Sequence, residues 1–310
     1  MLLRVMHDTV YHYSAEVSVA QHMLHLRPRA TDSQSVLQHH LRVDPAPEHS
    51  DEVVDAQGNH RRFLALQTPH QRLHIRADSL VHTQPPLPLA QLPDNPAWET
   101  VRDTLRYRAG APHDPAIEYR FHTPATPWDE TFLAFVWPVL DSGLGIADLA
   151  QALNQRIHQQ MRYDPCSTSV HTPTTQALAQ RAGVCQDFAR LFIACWRQLG
   201  LPARYVSGYL LTQPAYGQSR LVGADASHAW VSVYVPHPQW TGQGCWIDLD
   251  PTNNRCGWGS PGEEYVTLAW GRDFADVSPV RGVIQGGGSH RLQVAVTVAP
   301  PDEWPGEPLL

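Results

Sequence analysis

The chain has 310 residues, of which 42% are hydrophobic, and its formal net charge is −7 at pH 7. This length and apolar content suffice to bury a sizeable core in one large or two modest domains. The negative charge, without a basic cluster interleaved with aromatic residues, argues against nucleic acid or an anionic membrane as a partner.

The first 84 residues predict an antiparallel β domain. Short runs such as residues 41–43 and 63–66 alternate apolar and polar side chains, and turn-forming residues lie at 55–59. Five prolines between residues 85 and 96 then indicate a linker. We interpret residues 85–145 as this linker and a connecting region, because the pattern between Trp98 and Pro138 is mixed and favours no single element.

Helical spacing returns after this region. Apolar side chains recur every three or four residues over 146–161, which predicts a helix, and a second helix is predicted over 173–182. A third is predicted to begin near Cys185 and to end at Gly200, with apolar positions Val184, Phe188, Leu191, Phe192, Cys195 and Leu199. Cys185 would then lie in the first turn, where unpaired backbone N–H groups favour a thiolate over a thiol.

Two predicted strands offer this thiol a base and a carboxylate. Alternation after His228 predicts a strand that begins there, and residues 245–250 predict a short strand that ends at Asp250. Residues 238–244 between them look like a hairpin connection, which would bring His228 and Asp250 side by side. A carboxylate there can hold the imidazole in one tautomer and stabilise its charged form. Asp248 is the rival for this role, because it shares the same strand face.

Each of these three residues also has an ordinary structural interpretation. A cysteine is usually a small buried apolar residue, a histidine a satisfied core or surface residue, and an aspartate before proline a turn former. Their combination is more informative. A cysteine at a helix start, a histidine at a strand start and an aspartate at an adjacent strand end form the arrangement that nucleophile activation requires.

Three segments resemble the motifs of bacterial transglutaminase-like proteins: Gly-Val-Cys-Gln-Asp-Phe-Ala from Gly183, Ser-His-Ala-Trp-Val from Ser227 and Asp-Pro-Thr-Asn-Asn from Asp250. Similarity to the family extends over residues 201–209, over Tyr11, Tyr13, 26–29 and 55–59 near the N-terminus, and over 271–282. By this resemblance Cys185 is the nucleophile, His228 the base and Asp250 the third member of a triad.

The resemblance also implies the architecture. It is an α+β fold, in which an N-terminal antiparallel β domain (1–84) is followed by a papain-like, transglutaminase-like core (146–270) with helices packed on an antiparallel sheet. Residues 271–310 follow as a C-terminal strand segment. Its alternating run at 292–298 is expected to add an edge strand to the N-terminal domain.

The implied reaction begins with attack of the Cys185 thiolate on a peptide or carboxamide carbonyl, which gives a thioester. Water or an amine then completes the cycle, and we favour hydrolysis slightly over transamidation. The expected partner is a peptide or protein substrate. The alternative from another class is a catalytically silent, transglutaminase-like binding module, against which the complete triad argues.

Five residues near the triad are candidates to support it or to line the substrate cleft: Gln186, Asp187, Tyr209, Trp230 and Asn253. Helical geometry turns Asp187 about 200° from Cys185, so capping of the helix is its expected role. Trp230 shares a strand face with His228, where it is suited either to shield the imidazole from water or to pack as an ordinary core residue. For Tyr209, core packing is a stronger expectation than a place in the cleft.

Cofactor chemistry and a secretory route are not expected. The five cysteines show no C-x-x-C spacing and the 18 histidines include no H-E-x-x-H motif, so neither a disulfide framework nor a metal site is predicted. The N-terminus is too polar after six residues for a signal peptide, and no apolar stretch approaches membrane-spanning length. We therefore expect a cytoplasmic protein with a reduced catalytic thiol and no cofactor.

Overall fold

The computed structural model describes residues 1–106, 108–110, 113–212, 227–237 and 244–305. The hairpin connection predicted at residues 238–244 lies, except for its last residue, outside the described residues. Within the described ranges, no helix is both long enough and apolar enough to span a bilayer.

One antiparallel sheet of seven strands contains strands from both ends of the described chain. Its strands are β1 (Leu2–Leu24), β2 (Gln34–Asp44), β3 (His49–Val54), β4 (His60–Leu66), β5 (His70–Thr83), β13 (Val280–Gly286) and β14 (His290–Ala299). The alternating run at 292–298 lies within β14. Both β13 and β14 pair with β1, so the C-terminal segment packs on the N-terminal sheet.

The long strand β1 organises this sheet. Its first half pairs with β5 on one side and β14 on the other, and its second half pairs with β4 and β13. Register shifts near Val17 mark the change of partners. A strand that changes partners in this way curls the sheet around its own apolar face, which buries Val17, Leu24, Leu64 and Leu73.

The second sheet has five strands in the order β11-β10-β9-β8-β12. These are β8 (Ala203–Leu210), β9 (Ser227–Val235), β10 (Cys245–Asp250), β11 (Arg255–Trp258) and β12 (Tyr265–Gly271). A parallel pair, β6 (Arg162–Tyr163) with β7 (Ala182–Gly183), lies apart from it. The helices that accompany these strands are α1 (Trp98–Thr104), α2 (Glu130–Val136), α3 (Ile146–Gln160), α4 (Thr174–Gln180), α5 (Cys185–Gln198) and α6 (Phe274–Val277).

Helix α5 is the centre of the helical layer, and its predicted start and end are confirmed. It begins at Cys185 and buries an apolar face against β8 and β9. Gly200 ends the helix region in the left-handed conformation (φ +75°), with its N–H donating to the carbonyl of Arg197 at 2.9 Å. Burial of large side chains such as Phe192 and Trp196 fixes the helix on the sheet.

The region of mixed sequence pattern also belongs to this core. It forms α1, α2 and short 3-10 turns, which bury Trp98, Val101, Phe132 and Phe135 against α3 and α5. Each helix has only seven residues, two turns, so the chain shows too few repeats for a helical period to stand out.

Two side-chain amides join the N-terminal sheet to the second sheet. The Gln34 amide accepts from the Thr267 N–H at 2.7 Å and donates to its carbonyl at 2.8 Å. The Asn59 amide accepts from the Trp270 N–H at 3.0 Å and donates to the Trp270 carbonyl at 2.8 Å. Both amides satisfy backbone groups on the outer edge of β12, as a neighbouring strand would.

Buried histidines in the N-terminal sheet predict sensitivity to acid. His7 and His22 are 2% and 3% exposed, and burial lowers the pKa of each to about 4. The unfolded chain titrates near pH 6.5, so below that pH it binds protons that the native state does not. The free energy of unfolding in urea should therefore fall by on the order of a few kcal/mol between about pH 6.5 and 4.

The His22→Phe variant is the control for this pH dependence, because neither ring nitrogen of His22 has a partner in the described chain. We expect a shallower fall of the free energy of unfolding in this variant. A free energy of unfolding that stays constant across the window, or an equally steep fall in the variant, would contradict the role of these histidines.

Candidate active site

Cys185 is the first residue of α5 and is partly exposed. Val184 precedes it as the N-cap in an extended conformation. Among the described residues, the backbone N–H groups of Cys185 and Gln186 have no acceptor. A thiolate at this position would face the positive end of the helix, and the same N–H groups can stabilise an oxyanion.

Asp187 and Gln186 fasten the start of α5 to the preceding segment. The Asp187 carboxylate accepts from the Val184 N–H at 2.9 Å and from the Thr168 hydroxyl at 2.6 Å. Asp187 thus caps the helix and is not directed at the thiol. The Gln186 amide lies 2.7 Å from the guanidinium of Arg190, which in turn donates to the carbonyl of Val170 at 3.2 Å. These contacts hold the segment around Thr168 beside the nucleophile.

His228 and Asp250 lie side by side at the ends of β9 and β10. Nε2 of His228 is 2.7 Å from Oδ2 of Asp250, and the two side chains are 10% and 0% exposed. Because Asp250 occupies Nε2, Nδ1 is the ring nitrogen left for Cys185, which lies close enough for its charge to contribute to raising the pKa of this imidazole. The ring of Trp230 is stacked near it, with centroids 6.3 Å apart. Trp230 thus covers the imidazole on one side.

The Asp250 carboxylate accepts five hydrogen bonds. Oδ2 accepts from His228, from the Asn253 amide at 2.7 Å and from the Tyr265 hydroxyl at 2.8 Å. Oδ1 accepts from the backbone N–H groups of Thr252 at 2.9 Å and Asn253 at 3.3 Å. Backbone donors thus fix the position of the carboxylate at the strand end, and side-chain donors aim it at the imidazole.

These contacts set the charges of the pair. Burial alone would lower the pKa of His228, but hydrogen bonds with Asp250 and Cys185, and their negative charges, raise this pKa to about 10. Burial opposes ionisation of Asp250, yet the hydrogen bonds from His228, Asn253 and Tyr265 and the imidazolium charge lower its pKa. At neutral pH the site therefore holds an imidazolium beside an ionised carboxylate.

The rival aspartate, Asp248, lies deeper in the sheet and is not beside the imidazole. Its Oδ1 accepts from Nε1 of Trp230 at 3.2 Å and from the hydroxyl of Ser232. Burial raises the pKa of Asp248, and the nearby Arg204 guanidinium opposes that rise. Asp248 thus orients the tryptophan that covers His228, whereas Asp250 contacts His228 directly.

The structure does not bring Tyr209 to the triad. Its side chain is 1% exposed and its hydroxyl lies 3.0 Å from Nδ1 of His7, between the two sheets. It therefore packs in the core rather than lining a cleft. Within the described ranges, no group of three or more His, Cys, Asp or Glu side chains is arranged to hold a metal ion.

Tyr265 is the contact that sequence reasoning missed. Besides donating to Asp250, its ring lies 6.0 Å from that of His228 and packs edge-on against Trp230 at 5.5 Å. Burial and the Asp250 charge hold the pKa of Tyr265 well above its usual range, so its hydroxyl stays a donor. It belongs to β12, the strand that Gln34 and Asn59 hold at its outer edge.

Selective alkylation of Cys185 by iodoacetamide is the first test of this site. Burial raises the pKa of Cys195 well above its usual range, of Cys256 to about 12 and of Cys245 to about 11. Cys166 is exposed, and no contact among the described residues pairs it with an imidazole, so it serves as the internal reference. We expect Cys185 to be labelled at least about tenfold faster than Cys166 at pH 7, as measured by peptide mass spectrometry. Uniform labelling would contradict an activated thiol.

A second variant measures the contribution of the tyrosine. Tyr265→Phe keeps the buried ring and removes one donor from Oδ2 of Asp250. The loss should cost about 1–2 kcal/mol in the free energy of unfolding, measured in urea at pH 7, because a buried charged acceptor loses a hydrogen bond. Equal unfolding free energies for the variant and the parent would show that the hydroxyl does not help to hold Asp250.

Two family models match separate parts of the chain. Residues 3–82 match the model of the bacterial transglutaminase-like N-terminal region, and residues 140–251 match that of the transglutaminase-like superfamily. An uncharacterized protein of Mycobacterium tuberculosis is 36% identical over 96% of this chain and 92% of its own length. An uncharacterized protein of Mycobacterium leprae is 29% identical over 96% of this chain and 98% of its own length.

A solved structure shares the whole architecture. It is that of a Cytophaga hutchinsonii protein described as a candidate cysteine protease, with a TM-score of 0.71 and 22% identity over 96% of this chain and 90% of that one. This similarity shows the fold. The two matching family models and the 36% identical mycobacterial relative show that the chain belongs to the transglutaminase-like superfamily and carries the bacterial transglutaminase-like N-terminal region.

Proposed function

We propose that this protein is a cysteine-dependent enzyme that cleaves peptide or carboxamide bonds through a thioester on Cys185, with hydrolysis preferred to transamidation. The observation that carries the proposal is the buried pair of His228 and Asp250, 2.7 Å apart, beside a partly exposed cysteine at a helix N-terminus whose charge contributes to raising the pKa of the imidazole. Burying a charged pair costs free energy, and core packing does not require such a pair. Its position beside an accessible thiol therefore favours a role in catalysis.

Each step of the proposed reaction has a residue or backbone group that carries it out. The Cys185 thiolate attacks the carbonyl carbon, and the oxyanion that forms accepts from the N–H groups at the start of α5. His228, held as the imidazolium by Asp250, gives its proton to the departing amine while the carbon–nitrogen bond breaks. Water then attacks the thioester as His228 takes its proton, and the acid product and the thiol are released.

The entrance to the thiol favours a peptide as the acyl donor. Tyr163 and Val170 are 53% and 52% exposed. Tyr163 lies close enough for the charge of Cys185 to add to the effect of burial in raising its phenol pKa. The carbonyl of Val170 accepts from Arg190 at 3.2 Å, which fixes this apolar residue near the first turn of α5. An extended chain with an apolar residue would gain burial at these two side chains.

The test is reaction with a library of peptide amides and glutamine-containing peptides, with and without a primary amine, in water enriched in oxygen-18. Hydrolysis predicts an acyl adduct on Cys185 and one heavy oxygen in the acid product. Transamidation predicts an amide product that contains the added amine and no heavy oxygen. Specific binding of peptides with neither adduct nor product would support the binding-module alternative instead.

A further inference from the structure

A cavity of about 380 Å³ opens between α2, α3 and α4, on parts of the core that the triad does not use. This volume falls within the range typical of sites for small ligands. Its floor is apolar, because Phe135 and Leu178 line it and are 4% and 7% exposed. Ala134 and Ala179 line it too, so small side chains leave the space open.

Two arginines converge on the ring at the floor of this cavity. The guanidinium carbons of Arg156 and Arg181 each lie 4.9 Å from the ring centroid of Phe135. Both residues also line the cavity. Stacking on an aromatic ring leaves the N–H edges of a guanidinium free for hydrogen bonds.

Backbone contacts position both arginines at the cavity. Nε of Arg156 donates to the carbonyl of Phe135 at 2.7 Å, which leaves its two terminal nitrogens available. Arg181 ends α4 in the left-handed conformation (φ 52°), and its carbonyl accepts from the Arg162 N–H at 2.8 Å. The fold thus fixes the guanidinium of Arg156 and the backbone from which the Arg181 side chain reaches the ring of Phe135.

No carboxylate in the described part of the chain forms an ion pair with either arginine. Asp129, the N-cap of α2, is used at the helix N-terminus, where it accepts from the N–H and the hydroxyl of Thr131. Two arginines without an ion pair among the described residues are unusual in a protein of net charge −7. A guanidinium without an acidic partner can still form charge-assisted hydrogen bonds with a bound anion.

We propose that this cavity binds a small monocarboxylate with an apolar tail. The carboxylate would lie between the guanidiniums of Arg156 and Arg181, which match its geometry with paired N–H donors. The tail would cover Phe135 and Leu178. The site is separate from the triad and does not depend on the proposed reaction.

The probe is octanoate, with octanol as its uncharged counterpart, measured by isothermal titration calorimetry on the full chain. We expect saturable octanoate binding that weakens at least about tenfold in Arg156→Gln and in Arg181→Gln, while octanol binds more weakly than octanoate. Arg162→Gln is the matched control, because that exposed arginine pairs with Asp164 at 3.2 Å and should leave octanoate binding unchanged.

A second variant tests the cavity itself. Ala134→Leu adds volume at an exposed position of α2 and should block the tail without changing any charge. If Arg156→Gln fails to fold, octanoate binding by Arg181→Gln, at the exposed end of α4, tests the role of the arginines. The proposal is overturned if octanoate does not saturate the protein, if octanol binds equally well, or if Arg181→Gln and Ala134→Leu both bind as the parent does.

Discussion

Replacing Cys185 by alanine is expected to abolish turnover and covalent trapping by peptide amides, with a loss of at least about 10⁴-fold, because no other group can form the thioester. The substitution removes one sulfur atom from a partly exposed helix start. The free energy of unfolding should therefore change by less than about 1 kcal/mol.

Matched alanine substitutions separate chemistry from packing. Cys166→Ala, at the exposed thiol, should leave both activity and stability unchanged. Cys195→Ala, at a fully buried position of α5, should lower stability and leave the triad in place. If Cys185→Ala instead kept full activity and unfolded the protein by several kcal/mol, the cysteine would be a packing residue and the thioester proposal would fail.

Asp250→Asn should have the second-largest effect, and its signature lies in the pH profile. The amide keeps one acceptor oxygen but removes the negative charge that contributes to raising the pKa of His228 to about 10. This pKa should fall toward 6.5, so the imidazolium is lost at lower pH. At neutral pH the rate should drop by about 10²- to 10⁴-fold.

The pH dependence of kcat/KM tests whether Asp250 raises the pKa of His228. In the parent, activity that requires the imidazolium should persist until the pH approaches about 10, where His228 loses its proton. In Asp250→Asn the alkaline limb should move down by more than one pH unit. An alkaline limb at the same pH in both proteins would show that Asp250 does not set the charge of His228.

The structure also predicts that Asp250→Asn is less stable than the parent. The buried carboxylate accepts five hydrogen bonds, and an NH₂ group in place of Oδ2 would face donors from Asn253 and Tyr265. Some of these donors must reorient or remain unpaired, which costs about 1–3 kcal/mol for each that stays unpaired. Urea unfolding of the variant measures this cost separately from the loss of activity.

Local patterns were sufficient to predict the elements that carry the triad. The helical period after Val184 located α5, and alternation after His228 located β9. A strand end at Pro251 placed Asp250, which the structure shows beside the imidazole. These signals are local, because each depends on residues within one turn or one strand.

Contacts between distant segments could not be predicted in this way. Tyr265 reaches Asp250 from β12, which is separated from β10 in the sheet by β9 and β8, so no spacing in the chain reports the contact. The burial of Tyr209 against His7 depends on how the two sheets pack, so its position on the strand alone is also compatible with a place in the cleft. The amides of Gln34 and Asn59 likewise acquire their role only at the edge of β12.

The thioester on Cys185 can be detected as the intact mass of the protein after rapid quenching with a reactive peptide amide, followed by mapping of the modified residue. The proposed mechanism predicts one acyl group, bound as a thioester to Cys185, which hydroxylamine releases and which Cys185→Ala does not form. An acyl group on another residue, or turnover that continues in Cys185→Ala without any adduct, would contradict it.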